Sequence, residues 1–364
     1  MKLIICTNFA LPFHMGGSER VCQQIAETFV NEFNYEVTIL CQYGNGEVIH
    51  NGVSVRSCGD ASDHDFLSLL KGSDIILVYS DNFFRLSTIL ENVDSIDGKK
   101  IICPVGLNRI RSNLPQFKHL SNLFFNNIEK IKVFTHSDKY DDSLYLKQKG
   151  VNFSIVPNAI DLQEFSKSDF NFKEHYNIKS DKILLCVSNF FHGKGHNFLL
   201  PVIKCLSRRT DFTVLFISST LSIPLFNAYR SSIQENALRM GLPIKFIKDI
   251  PREHVIQSFF NSSAFVFGSS SECSPLCILE SMAAGLPWVS FAVGNVPDLA
   301  GGICIDNSYS KIEAGNVKLY STKVENLLDS VDFRTSLGSQ GLEYIKKYHD
   351  WEKVKNQYKA LFEQ

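Results

Sequence analysis

Ser269-Ser270-Ser271-Glu272-Cys273-Ser274-Pro275-Leu276-Cys277-Ile278-Leu279-Glu280-Ser281-Met282-Ala283-Ala284-Gly285-Leu286-Pro287 is the stretch that decides the fold of this chain. The apolar run before it, Ala264-Phe265-Val266-Phe267-Gly268, has the length and composition of a buried strand. Pro275 through Ala284 then reads as a helix that opens on proline and stops at Gly285. Glu272 falls in the strand-to-helix loop, and Glu280 about a turn and a half into the helix. Both acids can therefore reach one crevice at the carboxyl end of a parallel strand, where open α/β sheets bind ligands.

Outward from this unit, apolar strands alternate with amphipathic helices, the pattern of parallel sheets covered by helices on both faces. Strands are predicted at 2–7, 36–41, 74–79, 100–104, 132–136 and 154–156. A helix over 19–33 carries the stripe Val21, Cys22, Ile25, Ala26, Phe29, Val30 and Phe33. The strand signals restart at 182–187, 213–217, 244–247 and 264–267, after a polar, charged stretch over 161–180 that reads as a linker. The expected architecture is α/β, with two Rossmann-like domains facing a cleft: 1–165 on the acceptor side, 166–340 binding the nucleotide-sugar. A tail over 341–364, with Trp351 and Tyr358 among its apolar positions, reads as one or two helices packing back on the first domain.

A chain of 364 residues is long enough for two cores, and 44% hydrophobic with 21% charged residues is ordinary for a globular protein. A formal net charge of -1 gives no global attraction to nucleic acid. Residues 99–150 carry ten Lys or Arg against four Asp or Glu, a basic face read first as solvated helix surface and second as a contact for a membrane surface or anionic acceptor. Ten cysteines are scattered with no C-x-x-C pair, as expected of reduced, buried small hydrophobes; Cys273 and Cys277 have no neighbours to complete a metal site. No stretch has the apolar length of a membrane span, and Met1 to Cys6 fits a first strand and not a leader. A cytoplasmic protein is expected, with peripheral contact to the inner membrane face as the alternative.

Three loops carry candidate chemistry. In Pro12-Phe13-His14-Met15-Gly16-Gly17-Ser18-Glu19 the paired glycines precede a helix, so backbone N–H groups can approach a phosphate or sugar. In Ser188-Asn189-Phe190-Phe191-His192-Gly193-Lys194-Gly195-His196 a lysine between glycines follows a strand, placed to neutralise a diphosphate; the spacing is not that of a Walker A loop. Asp63-His64-Asp65 matches the short D-x-D pattern of some metal-holding sugar-nucleotide enzymes, but it precedes a helix-like segment at 66–71 and is read as an N-cap. No metal or other cofactor is assigned.

With these residues in view the chain resembles the GT-B glycosyltransferases of the family 4 type, the glycosyl transferases group 1, known for an E-x7-E motif. Glu272 and Glu280 supply that motif, and Ser281-Met282-Ala283-Ala284-Gly285-Leu286-Pro287 follows it as in the family. Gly16-Gly17-Ser18-Glu19-Arg20, Val156-Pro157-Asn158-Ala159-Ile160-Asp161, Lys194-Gly195 and Val293-Gly294-Asn295-Val296-Pro297-Asp298 match further family motifs in order along the chain. The resemblance implies a retaining, metal-independent transfer of a sugar from a nucleotide donor to a glycan or lipid-linked acceptor in cell-surface polysaccharide synthesis, with a UDP-sugar favoured over GDP-mannose. It implies that Glu280 binds the ribose, that Glu272 lies by the donor sugar, and that Lys194 stabilises the departing diphosphate. The donor set it implies is Gly16, Gly17, Asn189, Lys194, Ile250, Glu272, Ser274, Leu276, Cys277 and Glu280, with Glu272 and Lys194 as catalytic residues.

The chain departs from the family at three places. Asn189 stands where an arginine is usual, and an amide does not replace a bidentate guanidinium. No histidine is in register within Cys103-Pro104-Val105-Gly106-Leu107-Asn108-Arg109, which leaves Asn108 or Arg109 to meet acceptor or phosphate, with His119 and His136 read as structural. Ala159 stands for the usual glycine. These departures keep two alternatives open: a sugar-nucleotide or glycan-binding protein without catalysis, and a sugar-nucleotide epimerase on the same fold.

Overall fold

The computed structural model describes residues 1–219 and 224–364, which form two compact units. The first comprises Met1–Pro157 with Val354–Gln364, the second Asn158–Lys353. The division thus falls between Pro157 and Asn158, where the sequence reading has it at 165/166, and the tail is split at Lys353.

The first unit runs β1 (Lys2–Thr7), α1 (Gly17–Asn31), β2 (Glu36–Cys41), β3 (Glu47–His50), β4 (Val53–Ser57), α2 (Asp63–Leu70), β5 (Ile75–Tyr79), α3 (Leu86–Glu91), β6 (Lys99–Cys103), α4 (Pro115–Asn126), β7 (Lys132–Thr135), α5 (Asp141–Gln148) and β8 (Ser154–Ile155). Its sheet has the order β3-β4-β2-β1-β5-β6-β7-β8 and is parallel except at the β3–β4 hairpin. Leu3, Ile5, Ile39, Ile76, Leu77 and Val78 are fully buried, because strands covered on both faces need apolar side chains at every position. The hairpin, not foreseen from the sequence, turns on Asn51 and Gly52 at φ 48° and 82°; two consecutive positive φ values are what a two-residue turn of the favoured twist requires.

The second unit runs α6 (Phe172–His175), β9 (Lys182–Val187), α7 (His196–Cys205), β10 (Phe212–Ser218), α8 (Pro224–Arg239), β11 (Ile244–Lys248), α9 (Arg252–Phe260), β12 (Ala264–Phe267), α10 (Leu276–Ala283), β13 (Trp288–Phe291), β14 (Gly302–Ile305), α11 (Ala314–Asp329) and α12 (Val331–Tyr348). The last helix, α13 (Trp351–Glu363), begins here and ends in the first unit. The sheet is parallel throughout, in the order β11-β10-β9-β12-β13-β14. The stretch read as a linker belongs to this core: Phe165, Phe172 and Ile178 are buried against it. Three anchors spaced seven and six residues apart are too sparse to mark a helix or a strand, which is why the sequence hid them. β13 and β14 likewise escaped the sequence reading, each being only four residues long. Among the described residues no helix is long and apolar enough to cross a membrane.

Candidate active site

β9 and β12 are neighbours in the second sheet, so the loops after them leave from one edge. After β9 the chain makes a short 3-10 turn at His192–Lys194 and then meets Gly195 at φ +69°. A Cβ at Gly195 would lie 1.8 Å from the carbonyl oxygen of Gly268, and one at Gly268 would lie 2.7 Å from that of Gly195. Two glycines thus let the backbones touch, and the contact sets Lys194 beside Glu272, with Nζ 2.5 Å from Oε1.

The same Glu272 oxygen accepts from Ser269 Oγ at 2.7 Å. The Lys194 ammonium lies 5.2 Å from the Phe191 ring centroid and 5.7 Å from that of Phe267. Burial works against the lysine's charge, but Glu272 outweighs it and the pKa ends above the ordinary lysine value.

The loop carrying Glu272 is held from several sides within the unit. Tyr320 of α11 receives the N–H of Phe267 at 3.1 Å and donates to the Val289 carbonyl at 2.6 Å, fixing the end of β12. Asn158 Nδ2 donates to the Ser274 carbonyl at 2.9 Å, and Asn295 Nδ2 to Ser274 Oγ at 3.1 Å. His349 Nδ1 in turn donates to the Asn158 carbonyl at 2.6 Å. Gly294 allows the chain to pass so close that a Cβ there would meet the Cys273 carbonyl at 2.2 Å. Pro275 is the N-cap of α10 and not its first residue, so Leu276 and Cys277 open the helix with N–H groups that have no intrahelical acceptor. Burial and the Glu272 carboxylate push the Cys277 thiol well above its usual pKa.

Glu280 sits on α10 with its side chain 7% exposed, Oε1 lying 2.6 Å from Arg252 Nη1. Arg252, the first residue of α9, also grips Glu164 with Nε at 2.9 Å and Nη2 at 3.1 Å, and lies 5.2 Å from the Phe165 ring centroid. Burial opposes the guanidinium's charge, and the two glutamates outweigh it to raise the pKa. The sequence reading missed both Arg252 and Glu164. No spacing rule links position 252 or 164 to 280, and only the fold joins them.

Of the other expected donor residues, Ile250 follows β11 after Asp249, whose φ is +53°, and Asn189 Oδ1 accepts from Ser219 N at 3.2 Å. Gly16 and Gly17 lie in the first unit, Gly16 as the extended N-cap of α1 with no side-chain cap. Asn108 and Arg109 lie there too, in a turn after β6 that two acids hold. Asp81 Oδ2 accepts from the N–H groups of Arg109 at 2.8 Å and Ile110 at 3.2 Å, and Asp142 Oδ2 accepts from Gly106 N at 2.7 Å. Burial raises the Asp81 pKa against those backbone bonds.

His136 is internal, donating from Nδ1 to the Val156 carbonyl at 2.8 Å, which leaves Nε2 to accept from Tyr79 at 2.7 Å. His119 is on the surface beside Glu91. The helix cap expected from Asp63-His64-Asp65 is made instead by Ser62, whose Oγ accepts from Asp65 N at 3.1 Å, while Asp63 pairs with Arg85. Ser62 takes the role because it stands one residue before the first turn. No group of three metal-ligating side chains occurs among the described residues. On the basic stretch Arg111, Lys130 and Lys147 are paired with Asp141 and Asp142, Asp94, and Asp138 respectively.

Residues 167–343 match the model of the family Glycosyl transferases group 1. A sulfoquinovosyl transferase of Arabidopsis thaliana is 29% identical over 137 residues, covering 36% of this chain and 26% of that protein. The N-acetyl-alpha-D-glucosaminyl L-malate synthase of Bacillus anthracis is 23% identical over 258 residues, covering 67% of this chain and 62% of that protein. The chain thus spans less than two thirds of the length of these relatives. Among solved structures, Anabaena HepE in complex with UDP-glucose aligns with a TM-score of 0.79 at 13% identity over 100% of both chains. That family match lies within the second unit, and the chain has the GT-B fold.

Proposed function

We propose that this chain, with its group 1 glycosyltransferase unit, moves a sugar from a nucleotide-sugar donor, a UDP-sugar before GDP-mannose, to a hydroxyl of a glycan or lipid-linked acceptor, with retention at the anomeric carbon. The observation that carries the reading is the Lys194–Glu272 pair, set at 2.5 Å where β9 and β12 end and beside the opening N–H groups of α10. The anomeric C–O bond breaks and its electron pair leaves with the nucleoside diphosphate, while the acceptor oxygen takes its place on the same face and passes its proton to the departing phosphate oxygen. Lys194 meets the charge that develops on the leaving phosphate. The Leu276 and Cys277 N–H groups add a fixed positive end. Glu272 holds the lysine charged and faces the sugar, and Glu280, oriented by Arg252, accepts from ribose hydroxyls.

The test is thermal shift with UDP, GDP and their sugars, without added metal, followed by an assay of transfer. Stabilisation by one nucleoside diphosphate and turnover of its sugar are expected. Lys194→Ala should weaken donor binding and lose about 10²–10³-fold in kcat. Donor binding with neither transfer nor hydrolysis would favour the binding-protein alternative, and an isomerised donor would favour the epimerase. No binding of any nucleoside diphosphate would overturn the reading.

A further inference from the structure

The cations Lys194 and Arg252 are already engaged by three carboxylates, Glu272, Glu164 and Glu280. A nucleoside diphosphate bound there would face a carboxylate excess, so the strand ends need another source of positive charge.

Arg230 of α8 stands at that edge. Its guanidinium lies 5.8 Å from the centroid of Phe190, which directly follows Asn189. Phe190 is itself fixed, stacked on His196 at 4.0 Å and flanked by Phe216 and Phe246. The next residues of α8 bind the same loop, with Tyr229 4.1 Å from His192 and Phe226 5.7 Å from Phe191 between ring centroids. The side chain is half-buried, its Nε is shielded from solvent, and that nitrogen has no hydrogen-bond partner. Burial lowers the Arg230 pKa and only Asp249, at the end of β11, acts in the opposite sense. Among the described residues no ion pair is made by this guanidinium, in contrast to Lys194 and Arg252. Asn189 adds no charge, and its Oδ1 is taken by Ser219 N.

We infer that Arg230 is a diphosphate-binding residue of the donor site, supplying from α8 the guanidinium that position 189 lacks. The inference rests on the donor reading above. A guanidinium suits the task because its fork of donors matches two phosphate oxygens and stays charged when partly buried.

Calorimetry with UDP and with uridine tests it. Arg230→Gln, which keeps an aliphatic stem over Phe190, should weaken UDP about 10- to 100-fold and leave uridine within twofold. Arg230→Ala should do the same. In either background Asn189→Arg should restore most of the UDP affinity, since it returns a guanidinium to the same edge. UDP affinity unchanged in both variants, with the wild type binding UDP, overturns this assignment alone. Equal losses for UDP and uridine, with no recovery on Asn189→Arg, overturn it as well, since they mark a packing role over Phe190. A wild type that binds no nucleoside diphosphate overturns it together with the donor reading.

Discussion

An ammonium packed against two phenylalanine rings keeps its charge only if a partner offsets the lost hydration, and Glu272 is that partner for Lys194. Because the folded-state pKa of Lys194 is raised, the stability it contributes is complete below the ordinary lysine value and is lost only as pH rises through the folded pKa. Removing the carboxylate leaves burial as the dominant influence. The alkaline limb of the rate profile of Glu272→Gln should therefore move to lower pH than in the wild type, and an unmoved limb would show that the pair does not govern the lysine. Two buried histidines act at the other end of the scale. Burial holds His136 at about 4 and His196 at about 3, both below the free value. Unfolding then takes up protons, so stability present above pH about 6.5 falls progressively toward pH 4. The unfolding midpoint followed by circular dichroism should drop over that window, and His136→Asn should flatten the drop. Lys194, Glu272 and Glu280 were legible as a spaced pattern. Arg252, Glu164 and Arg230 were not, because each reaches the strand ends from a different helix or loop and leaves no local spacing to find.

The elements that shape the loops are positioned by close backbone approach and by amide side chains. Gly195→Ala forces a Cβ onto the Gly268 carbonyl and a side chain into a left-handed backbone, so both stability and donor binding should suffer, the former by on the order of 1–3 kcal/mol. Asn158→Ala strips the Ser274 carbonyl of its buried donor, and a loss of about 1–3 kcal/mol is expected in chemical denaturation, with the Glu272 loop loosened. Hydrogen exchange at 272–277 would check the second point. These asparagines stood out as motif positions, yet the sequence carried no sign that they bind the loop and not a ligand. Long apolar strands such as β1 and β9 were plain. β3 and β4 were missed although Asn51-Gly52 announces their turn, since Glu47–His50 is too short and too exposed to look like a strand.

At the scale of the molecule there are two cores, and the chain passes between the units twice, at 157/158 and at 353/354. The second passage matters to the first core. Tyr358 and Phe362 are fully buried, with their rings 5.8 Å from Phe134 and 4.9 Å from Phe29 respectively. Lys99 Nζ caps the Phe362 carbonyl at 2.7 Å, and Lys355 pairs with Glu32 at 2.5 Å. Phe362→Ala should cost about 3–5 kcal/mol, and a chain ending at Lys353 should lose protection in β1, β2 and β7 under limited proteolysis while 158–353 keeps its own core. A truncated first unit as protease-resistant as the full one would contradict this packing.

That split has a consequence for synthesis. Every residue of the second unit, 158–353, has been joined to the chain before Val354 is added, whereas the first unit lacks its closing helix turns until 354–364 follow. The usual order, with the amino-terminal domain completed first, is therefore reversed here. The earlier-made sheet must wait, with the apolar sockets for Tyr358 and Phe362 open, while the later-made one is finished, and that interval is when a nascent-chain chaperone would have most to hold.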